Sequence, residues 1–356
     1  MPTINPDKFF FHLLKIVNFI NYLMLLENKK VLLVRRPKGA AHADDFSVVR
    51  EQVPRLQEGE LLVHNEYVSL DPAMRGWMNE GTTYIRGVEL GAVMRAFAVG
   101  YVVESRHPQF KVGQAVQGVL GAQRYAVTNG KGLFSVDNMA APLSWHLGLL
   151  GMPGLTAYFG LLDKGRPQGS ETVLVSGAAG MVGSLVGQIA RIKGCRVVGI
   201  AGGEQKCRYL NDELKFDAAI NYKNGDVAQA IRAAAPDGVH VYFDNVGGAI
   251  LDAALLHLAL GARVVICGAI SQYNDAQFNG LKNYMKIVTA RGVLTGIIVM
   301  DYFERSQEAF FDLWNWHQEG KLHYREHVVQ GLDYFPGALN MLFTGDNHGK
   351  LVLKVD

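Results

Sequence analysis

The stretch that decides the fold is ETVLVSGAAGMVGSLVGQIARIKGCRVVGIAGG, residues 171–203. Residues 171–176 form a short apolar run that ends at a glycine-rich turn, which is typical of a buried strand. Residues 181–193 then carry apolar side chains at helical spacing, at positions 182, 185, 186, 189, 190 and 192. A second apolar run, 196–200, follows. The pattern predicts a strand–helix–strand unit of a parallel sheet.

The same alternation continues on both sides of this unit. Further strands are predicted at 218–222, 239–245 and 262–268, and helices at 151–162, 204–214, 226–235 and 249–260. Strands that alternate with helices indicate right-handed crossovers and a doubly wound sheet. The sequence therefore predicts an α/β domain over residues 149–319.

The two ends of the chain have a different character. Short strand-like runs stand at 31–34, 60–70, 87–93, 99–105 and 110–118, with little helical periodicity before about residue 140, and again at 326–332 and 350–355. We expect one β domain built from residues 28–148 plus 320–356, with the α/β domain inserted, and residues 1–27 as an N-terminal extension.

Composition excludes several classes of protein. Of 356 residues, 49% are hydrophobic, and 35 basic against 33 acidic residues give a net charge of +2. This balance argues against disorder and against gripping nucleic acid or acidic membranes by charge. Three cysteines cannot build a disulfide framework, so we expect a reducing compartment, the cytoplasm.

The most apolar stretch is FFFHLLKIVNFINYLMLL, residues 9–26, and His12, Lys15, Asn18 and Asn21 interrupt it. A membrane-spanning helix needs about 20 residues with almost no charge. We expect an extra helix, or an upstream extension of a protein whose natural start is Met24. A membrane anchor is the alternative.

The glycine-rich turn predicts a dinucleotide site. After the strand at 171–176, Ala178, Gly180 and Gly183 fit the A-x-G-x-x-G spacing, with Gly177 ahead of them. The backbone at Gly180 must approach a pyrophosphate, and Gly183 lets the helix lie close to the sheet. The helix N-terminus offers free N–H groups and a positive dipole end to the phosphates.

The end of the second strand indicates which dinucleotide binds. An NAD site usually has an acid about 20 residues after the turn, for the ribose 2′-hydroxyl. Here the strand ends in small residues, 199–203, followed by Lys206 and Arg208. A cation can neutralise a 2′-phosphate, so we predict NADP(H). Glu204 remains an alternative ligand for a ribose hydroxyl.

No constellation for a metal or a covalent nucleophile is apparent in the sequence. The three cysteines are scattered, and His323 and His327, if both lie on one strand, would be ~13 Å apart and unable to share an ion. A Gly-x-Ser-x-Gly nucleophile motif is absent. We predict no metal and assign the hard chemical step to the cofactor.

With these residues placed, the chain resembles the medium-chain dehydrogenase/reductase superfamily. Within it, residues 28–356 are similar to the zinc-free NADPH-dependent alkenal/one and prostaglandin reductases, above all to the bacterial curcumin reductase type. The segments that carry the resemblance are RRPKG (35–39), SLDPAMRGWM (69–78), LGLLGMPGLTAYFGLLDKG (147–165), SGAAGMVGSLVGQIARIKGCRVVGIAGG (176–203), YFDNVGG (242–248), CGAISQY (267–273), GIIVMDY (296–302) and NHGKLVLKV (347–355). The resemblance implies a Rossmann sheet inserted in a GroES-like β-barrel domain, a cleft between them, and a homodimer.

The resemblance also implies the cofactor residues. Gly180, Met181, Val182 and Gly183 match the pyrophosphate turn, and Lys206 and Tyr222 match positions that hold the 2′-phosphate. Asn245 and Asn347 match further cofactor contacts. Two segments match the lining of the nicotinamide: Cys267, Gly268, Ala269, Ile270, Ser271 and Tyr273, and Ile297, Ile298 and Val299.

The candidate catalytic residue is Tyr84. Prostaglandin reductases carry a tyrosine where Met300 stands here, whereas the bacterial type has one in the loop matching 81–87, and this gives Tyr84 as proton donor or carbonyl clamp. Ile85 and Arg86 replace the two prolines frequent after that tyrosine, so the rim of the pocket differs. Arg75 is interpreted as holding its loop, and His146 and Tyr158 as packing residues. Met78, Tyr273, Ile298 and Met300 favour a hydrophobic substrate.

The expected function is NADPH-dependent reduction of the C=C bond of α,β-unsaturated ketones or aldehydes. A small hydrophobic enone or alkenal would be the substrate. Two alternatives remain: an NADPH:quinone reductase of the same superfamily, and a non-catalytic NADPH-binding redox sensor.

Overall fold

A computed structural model describes residues 26–82, 84–136, 141–275 and 277–356. Its strands are β1 (Glu27–Leu33), β2 (Phe46–Gln52), β3 (Leu61–Ser69), β4 (Phe97–Ser105), β5 (Ala115–Val119), β6 (Tyr125–Thr128), β7 (Phe134–Ser135), β8 (Thr172–Ser176), β9 (Arg196–Ala201), β10 (Ala218–Asn221), β11 (Val239–Asp244), β12 (Leu258–Ile266), β13 (Val293–Gly296), β14 (Glu326–Gln330) and β15 (Lys350–Lys354).

The α-helices are shorter and concentrate in the second half of the chain. They are α1 (Met74–Trp77), α2 (Met152–Phe159), α3 (Met181–Ile192), α4 (Glu204–Arg208), α5 (Val227–Ala234), α6 (Gly248–Leu255), α7 (Met285–Thr289), α8 (Ser306–Gln318) and α9 (Phe335–Thr344). Helices α2 and α4 each continue into a π-helical turn, Gly160–Gly165 and Tyr209–Glu213.

The α/β half contains a six-stranded parallel sheet in the order β10-β9-β8-β11-β12-β13. Numbered along the chain this is 3-2-1-4-5-6, the doubly wound order that binds dinucleotides. The chain reverses its direction of winding between β8 and β11. The carboxyl ends of these two strands therefore form the crevice where a ligand is expected. The predicted Rossmann fold is confirmed.

Side chains of a buried strand point alternately to the two faces of the sheet, and both faces are packed. This explains why these strands appear in the sequence as continuous apolar runs. Val173 and Val175 of β8 pack into one core with α2 and α3, whereas Leu174 packs into a second core with α5 and α6. Both faces of the sheet are covered, so the three central residues of the strand are all apolar.

The other half contains a seven-stranded sheet in the order β14-β15-β3-β4-β5-β7, with β6 paired to β3, and a separate β1-β2 ribbon. Strands β14 and β15 come from the end of the chain, and β15 pairs antiparallel with β3. The GroES-like domain is thus assembled from both ends of the chain, as predicted.

Several local predictions are wrong. Residues 87–93 form no strand, because Gly91 turns the chain with φ +82° and only Val93 makes an isolated bridge. The run 110–118 is a strand only from Ala115, after a turn at Gly113. Strand β14 begins at Glu326, so His323 is not on the same strand as His327. Residues 1–25, on which the prediction of an N-terminal helix falls, lie outside the described residues.

Candidate active site

The glycine turn after β8 is shaped by close backbone contacts. Gly177 adopts φ +59°, and its carbonyl accepts the N–H of Gly180 at 3.0 Å. A Cβ on Gly183 would lie 2.4 Å from that same carbonyl oxygen, so a side chain there would push α3 off the turn. At Gly180 the distance would be 3.2 Å. Helix α3 begins at Met181, and its first N–H groups point out of the helix beside Val182 and Gly183.

A buried carboxylate organises the neighbouring strand end. Asp244, with no exposed surface, accepts the hydroxyls of Ser176 at 2.7 Å and Tyr242 at 2.6 Å. It also accepts the N–H groups of Val246 and Gly247 at 3.0–3.1 Å. Burial and the neighbouring carboxylate raise the pKa of Tyr242 well above its usual value. Asp244 therefore holds β8 and the loop after β11 together, and sequence reasoning missed it.

Asn245 is fixed beside the glycine turn by this network. Its backbone N–H donates to Ser176 Oγ at 2.9 Å, and its side-chain Nδ2 donates to the Ser176 carbonyl at 2.8 Å. A Cβ on Gly177 would lie 3.4 Å from the Asn245 Cβ. The amide oxygen is left to accept a hydrogen bond from a ligand in the crevice.

The segment 267–273 is bonded to the same strand end. The N–H groups of Cys267 and Gly268 donate to the Asp244 carbonyl, and Ile270 N–H donates to Asn245. Ser271 donates its N–H and its hydroxyl to the Val246 carbonyl. Ala269 N–H donates to the Tyr273 hydroxyl at 3.1 Å, so this ring folds back over its own loop. All six predicted residues of the segment thus lie at the carboxyl edge of the sheet.

The segment 297–299 is the next one along that edge. Ile297 N–H donates to the Ile266 carbonyl, at the end of β12. Ile297 and Val299 are buried, whereas Ile298 is 37% exposed. Because β12 and β13 are adjacent and parallel, the two predicted nicotinamide segments leave the sheet side by side.

Tyr222 packs against Gly202, directly after β9, and Lys206 lies four residues later on α4. A Cβ on Gly202 would lie 2.9 Å from the Tyr222 ring, so the small residue makes room for that ring. Lys206 Nζ donates to the Gly345 carbonyl at 2.6 Å. Burial lowers the pKa of Lys206, and Lys223 lowers it further, while Asp346 opposes them.

Glu204 is committed to a neighbouring loop. Its Oε1 accepts the side-chain amides of Asn221 at 3.0 Å and Asn224 at 2.9 Å. The Asn221 Oδ1 in turn accepts the Gly203 N–H at 2.9 Å. This bonding favours the cationic interpretation of the site, with Lys206 as the charged side chain at the tip of β9.

Asn347 lies in the short loop between α9 and β15. Its Nδ2 donates to the Gly349 carbonyl at 3.0 Å. The same loop begins at Gly345, the acceptor of Lys206. Asn347 therefore belongs to a loop that contacts Lys206 in space, although the two residues are distant in sequence.

Tyr84 stands at the tip of a narrow loop closed by a bridge between Thr82 and Arg86. Its side chain is 51% exposed, and its hydroxyl accepts the Trp77 indole N–H at 3.0 Å. Burial raises the pKa of Tyr273, and the electrostatic influence of Tyr84 acts in the same direction. Tyr84 is therefore near enough to Tyr273 to act on it electrostatically.

The structure agrees with the predicted roles of Arg75 and Tyr158 but not with that of Met78. Arg75 is buried and donates to the carbonyls of Pro37 and Gly39 and to Asn79, which confirms that it holds its loop. Tyr158 is packed in the core with its hydroxyl on Asp312. Met78 has no exposed surface and packs in the core of the β domain, so it is wrong to count it among substrate-facing residues.

A separate pocket, with about 500 Å³ of empty space including open solvent, lies between the two domains. Its walls are mainly apolar and include Phe97, Phe134, Met152 and Phe303. Neither Tyr84 nor Tyr273 lines it. This pocket lies at the domain boundary, and the predicted nicotinamide segments do not line it.

The described residues contain neither a cluster of metal ligands nor a membrane-spanning helix. Across residues 26–82, 84–136, 141–275 and 277–356, no three His, Cys, Asp or Glu side chains are grouped as metal ligands. In that same part of the chain, no helix is long and apolar enough to cross a membrane.

Two protein families match the chain by sequence. Residues 29–136 match the N-terminal domain of oxidoreductases, and residues 181–316 match the family described as zinc-binding dehydrogenase. The two matches fall on the β half and on the sheet that carries the glycine turn.

Individual relatives are similar over nearly the whole chain. The NADPH-dependent curcumin reductase of Escherichia coli is 40% identical over 92% of this chain and 97% of its own. The NADP(+)-dependent 2-alkenal reductase of Nicotiana tabacum is 38% identical over 93% of this chain and 98% of its own. The crystal structure of CurA in complex with NADPH from Vibrio vulnificus superposes with a TM-score of 0.88, at 40% identity, and covers 92% of this chain and 99% of that one. The chain therefore belongs to the medium-chain dehydrogenase/reductase superfamily, within its group of NADP-dependent oxidoreductases.

Proposed function

We propose that this protein reduces the C=C bond of α,β-unsaturated ketones and aldehydes with NADPH. The observation that carries the proposal is the placement of Tyr84. Its half-exposed hydroxyl is held by the Trp77 indole N–H at 3.0 Å. Tyr84 also acts electrostatically on Tyr273, which ends the segment predicted to line the nicotinamide. The relatives named as curcumin and 2-alkenal reductases support this substrate class.

The residues of this chain fit the cofactor. A glycine turn without room for a side chain at Gly183 opens α3, a helix long enough to present a positive N-terminal end. Lys206, on the helix after β9, supplies a cation for the 2′-phosphate, and Glu204 accepts hydrogen bonds from Asn221 and Asn224. Asn245 offers a free amide oxygen to the crevice.

The chemistry then divides between the cofactor and the chain. Bound NADPH supplies the hydride that reaches the β-carbon of the enone. As that bond forms, negative charge builds on the carbonyl oxygen, and the Tyr84 hydroxyl donates a hydrogen bond to it. Because Trp77 donates to the Tyr84 oxygen, the Tyr84 hydrogen is directed away from the indole and towards the cleft. A proton added at the α-carbon, from Tyr84 or from water, completes the saturated carbonyl product.

The substrate is small and hydrophobic in this proposal. Ile298 is exposed at the carboxyl edge, and Met300 follows it on a 3-10 helix. Both side chains are uncharged, so an apolar enone could contact them without the desolvation of a charge. The protein acts in the cytoplasm in the same proposal, since Cys195, Cys207 and Cys267 are free thiols.

The partner is a second copy of the chain. Strand β13 is the last strand of the parallel sheet, and its Val293 and Leu294 are 57% and 41% exposed. Leu260 and Val288 beside it are 68% and 64% exposed. An edge strand with apolar neighbours is a template for another strand, so β13 of two copies would join their sheets.

The deciding experiment follows NADPH absorbance with enones (2-alkenals, 3-nonen-2-one and curcumin), with simple quinones, and with NADH as the cofactor control. Consumption with enones and a saturated carbonyl product is the expected result. Activity with quinones alone would replace the proposal with a quinone reductase. Tight NADPH binding with no turnover on any acceptor would favour a redox sensor.

A further inference from the structure

One short loop lies next to both Lys206 and Arg325, two cationic residues that are far apart in sequence. The loop runs from Gly345, after α9, to Gly349, before β15. At its start, Lys206 Nζ donates to the Gly345 carbonyl at 2.6 Å. At its end, Lys350 N–H donates to the Arg325 carbonyl at 2.9 Å. A Cβ on Gly349 would lie 2.2 Å from that carbonyl, so the contact with Arg325 requires glycine.

The segment around Arg325 also contacts the two helices that frame the predicted phosphate site. Two residues before it, the His323 N–H donates to the side-chain Oε1 of Gln188 of α3 at 2.6 Å, and Gln188 Nε2 donates to the His323 carbonyl at 3.0 Å. The Arg325 guanidinium lies 5.5 Å from the centre of the Tyr209 ring. Tyr209 follows α4 directly, one turn after Lys206. Arg325 thus lies among the glycine-turn helix, the Lys206 helix and the Asn347 loop.

The two cations of this cluster form no direct ion pair with an acid among the described residues. Among the described residues, neither Arg325 nor Lys206 is within ion-pair distance of a carboxylate. The nearby Asp346 accepts a hydrogen bond from Thr344. His348 belongs to the loop that contacts both cations, and the centre of its ring lies 6.3 Å from that of the His327 ring. Burial lowers the pKa of His348, and Arg325 and Lys206 lower it further.

A group of cations that lacks direct ion pairs fits an anionic ligand. Cations held close together repel one another, and a bound phosphate offsets that repulsion because it attracts each of them. The guanidinium of Arg325 adds a planar pair of donors that a lysine does not have, which suits two phosphate oxygens. Its face on Tyr209 fixes the plane of the guanidinium.

We propose that Arg325, with Lys206 and His348, binds a phosphate group of the dinucleotide. The inference rests on the proposed cofactor and adds a residue that lies 119 positions after Lys206 in the chain. Arg325 is a binding residue here, with no part in moving the hydride or the proton.

The test is the affinity of the Arg325→Gln variant for NADPH and for three fragments: 2′,5′-ADP, 5′-ADP and 5′-AMP. Isothermal titration gives each dissociation constant without any enone. We expect NADPH to bind about tenfold more weakly, because a charge-assisted hydrogen bond is lost. The matched control is Arg50→Gln, which removes an exposed arginine paired with Glu27 on the β1-β2 ribbon. The control should bind all four ligands like the unaltered protein.

The fragments identify the phosphate. A loss confined to 2′,5′-ADP and NADPH places Arg325 at the 2′-phosphate, and a parallel loss for 5′-ADP and 5′-AMP places it at the pyrophosphate. Unchanged affinity for all four ligands would overturn the proposal. If Arg325→Gln does not fold, Arg325→Met, which keeps the aliphatic stem on Tyr209, takes the same test.

The outcome is separate from that of the proposed reaction. A protein that binds NADPH through Arg325 and reduces no enone would contradict the reductase proposal alone. A protein that reduces enones with an unchanged Arg325→Gln affinity would contradict the phosphate proposal alone.

Discussion

The indole N–H of Trp77 donates to the hydroxyl oxygen of Tyr84 across 3.0 Å. Trp77 is buried at the end of α1, whereas Tyr84 is half exposed on the loop that follows. The Arg95 guanidinium lies 5.8 Å from the centre of the Trp77 ring on its other side. The buried residue therefore fixes the position of the exposed phenol, so Tyr84 reaches the cleft with a defined orientation.

Removal of the Tyr84 hydroxyl should slow the reaction without loss of cofactor. In Tyr84→Phe the carbonyl oxygen loses its donor as charge builds, and we expect kcat with an enone to fall about 10²-fold. The Kd for NADPH should stay unchanged, since Tyr84 is not among the cofactor residues. Steady-state kinetics and fluorescence titration check the two parts. An unchanged kcat would remove Tyr84 from the mechanism.

Trp77→Phe is the companion variant, because it keeps the Tyr84 hydroxyl and removes only its donor. We expect a smaller loss of kcat than in Tyr84→Phe. In the double variant, the Trp77 change should have no further effect on kcat, since the group it orients is already gone.

Loss of the Lys206 charge should change the choice of cofactor. In Lys206→Ala we expect the KM for NADPH to rise by at least tenfold while the KM for NADH changes little, because only NADPH carries the 2′-phosphate. Lys223→Ala is the control, because it removes a neighbouring lysine charge and leaves Lys206 bonded to the Gly345 carbonyl. Equal losses for both cofactors would contradict the assignment.

The buried carboxylate of Asp244 should be essential to the shape of the cofactor crevice. Asp244→Asn replaces one acceptor oxygen by an NH₂ group that faces hydroxyl and N–H donors. We expect the free energy of unfolding to fall by about 3 kcal/mol. Urea unfolding measures it. Tyr242→Phe removes a single hydrogen bond from the same oxygen and should cost about 1 kcal/mol, so similar values for both variants would contradict the role given to Asp244.

The sequence predicted the central part of the fold because its signals are local. β8, the glycine turn and α3 follow one another, and each is determined by spacing within about a dozen residues. Helices α8 and α9 escaped prediction because their apolar faces are set by contacts with other elements. Leu313 of α8, for example, packs against the Gly154 turn of α2.

The candidate site divides in the same way. The strand-end residues Asn245 and Lys206 could be placed from their positions after strands. Asp244 and Arg325 could not, because an acid that ends a strand and an arginine before another strand look like ordinary surface residues in sequence. Only the hydrogen bonds and the loop contacts of the folded chain give them their environment.

An ion pair at the opposite end of the sheet should make stability depend on pH. Burial would raise the pKa of Glu171, but hydrogen bonds from Arg263 and from the Gln168 N–H outweigh it, and the pKa is lowered overall. A depressed pKa stabilises the folded state above the unfolded value of about 4.3. That contribution is lost as the pH falls through the folded-state pKa.

Glu171→Gln tests this dependence. We expect the variant to be less stable than the unaltered protein by about 2 kcal/mol at pH 7, with the difference shrinking below about pH 4 as Glu171 takes up a proton. Urea unfolding at pH 7, 5 and 3.5 provides the comparison. A difference that stays constant over this range would show that charge is not its cause.

The exposed edge strand predicts how two copies meet. Val293→Lys places a strongly hydrated charge on β13, where a partner strand would otherwise pair and bury the apolar side chains beside it. We expect the variant to sediment with the mass of one chain and the unaltered protein with the mass of two. Val112→Lys, which changes an equally exposed valine, 63% exposed, in the β domain, should leave the dimer intact. A dimer that survives Val293→Lys would place the interface on another face of the molecule.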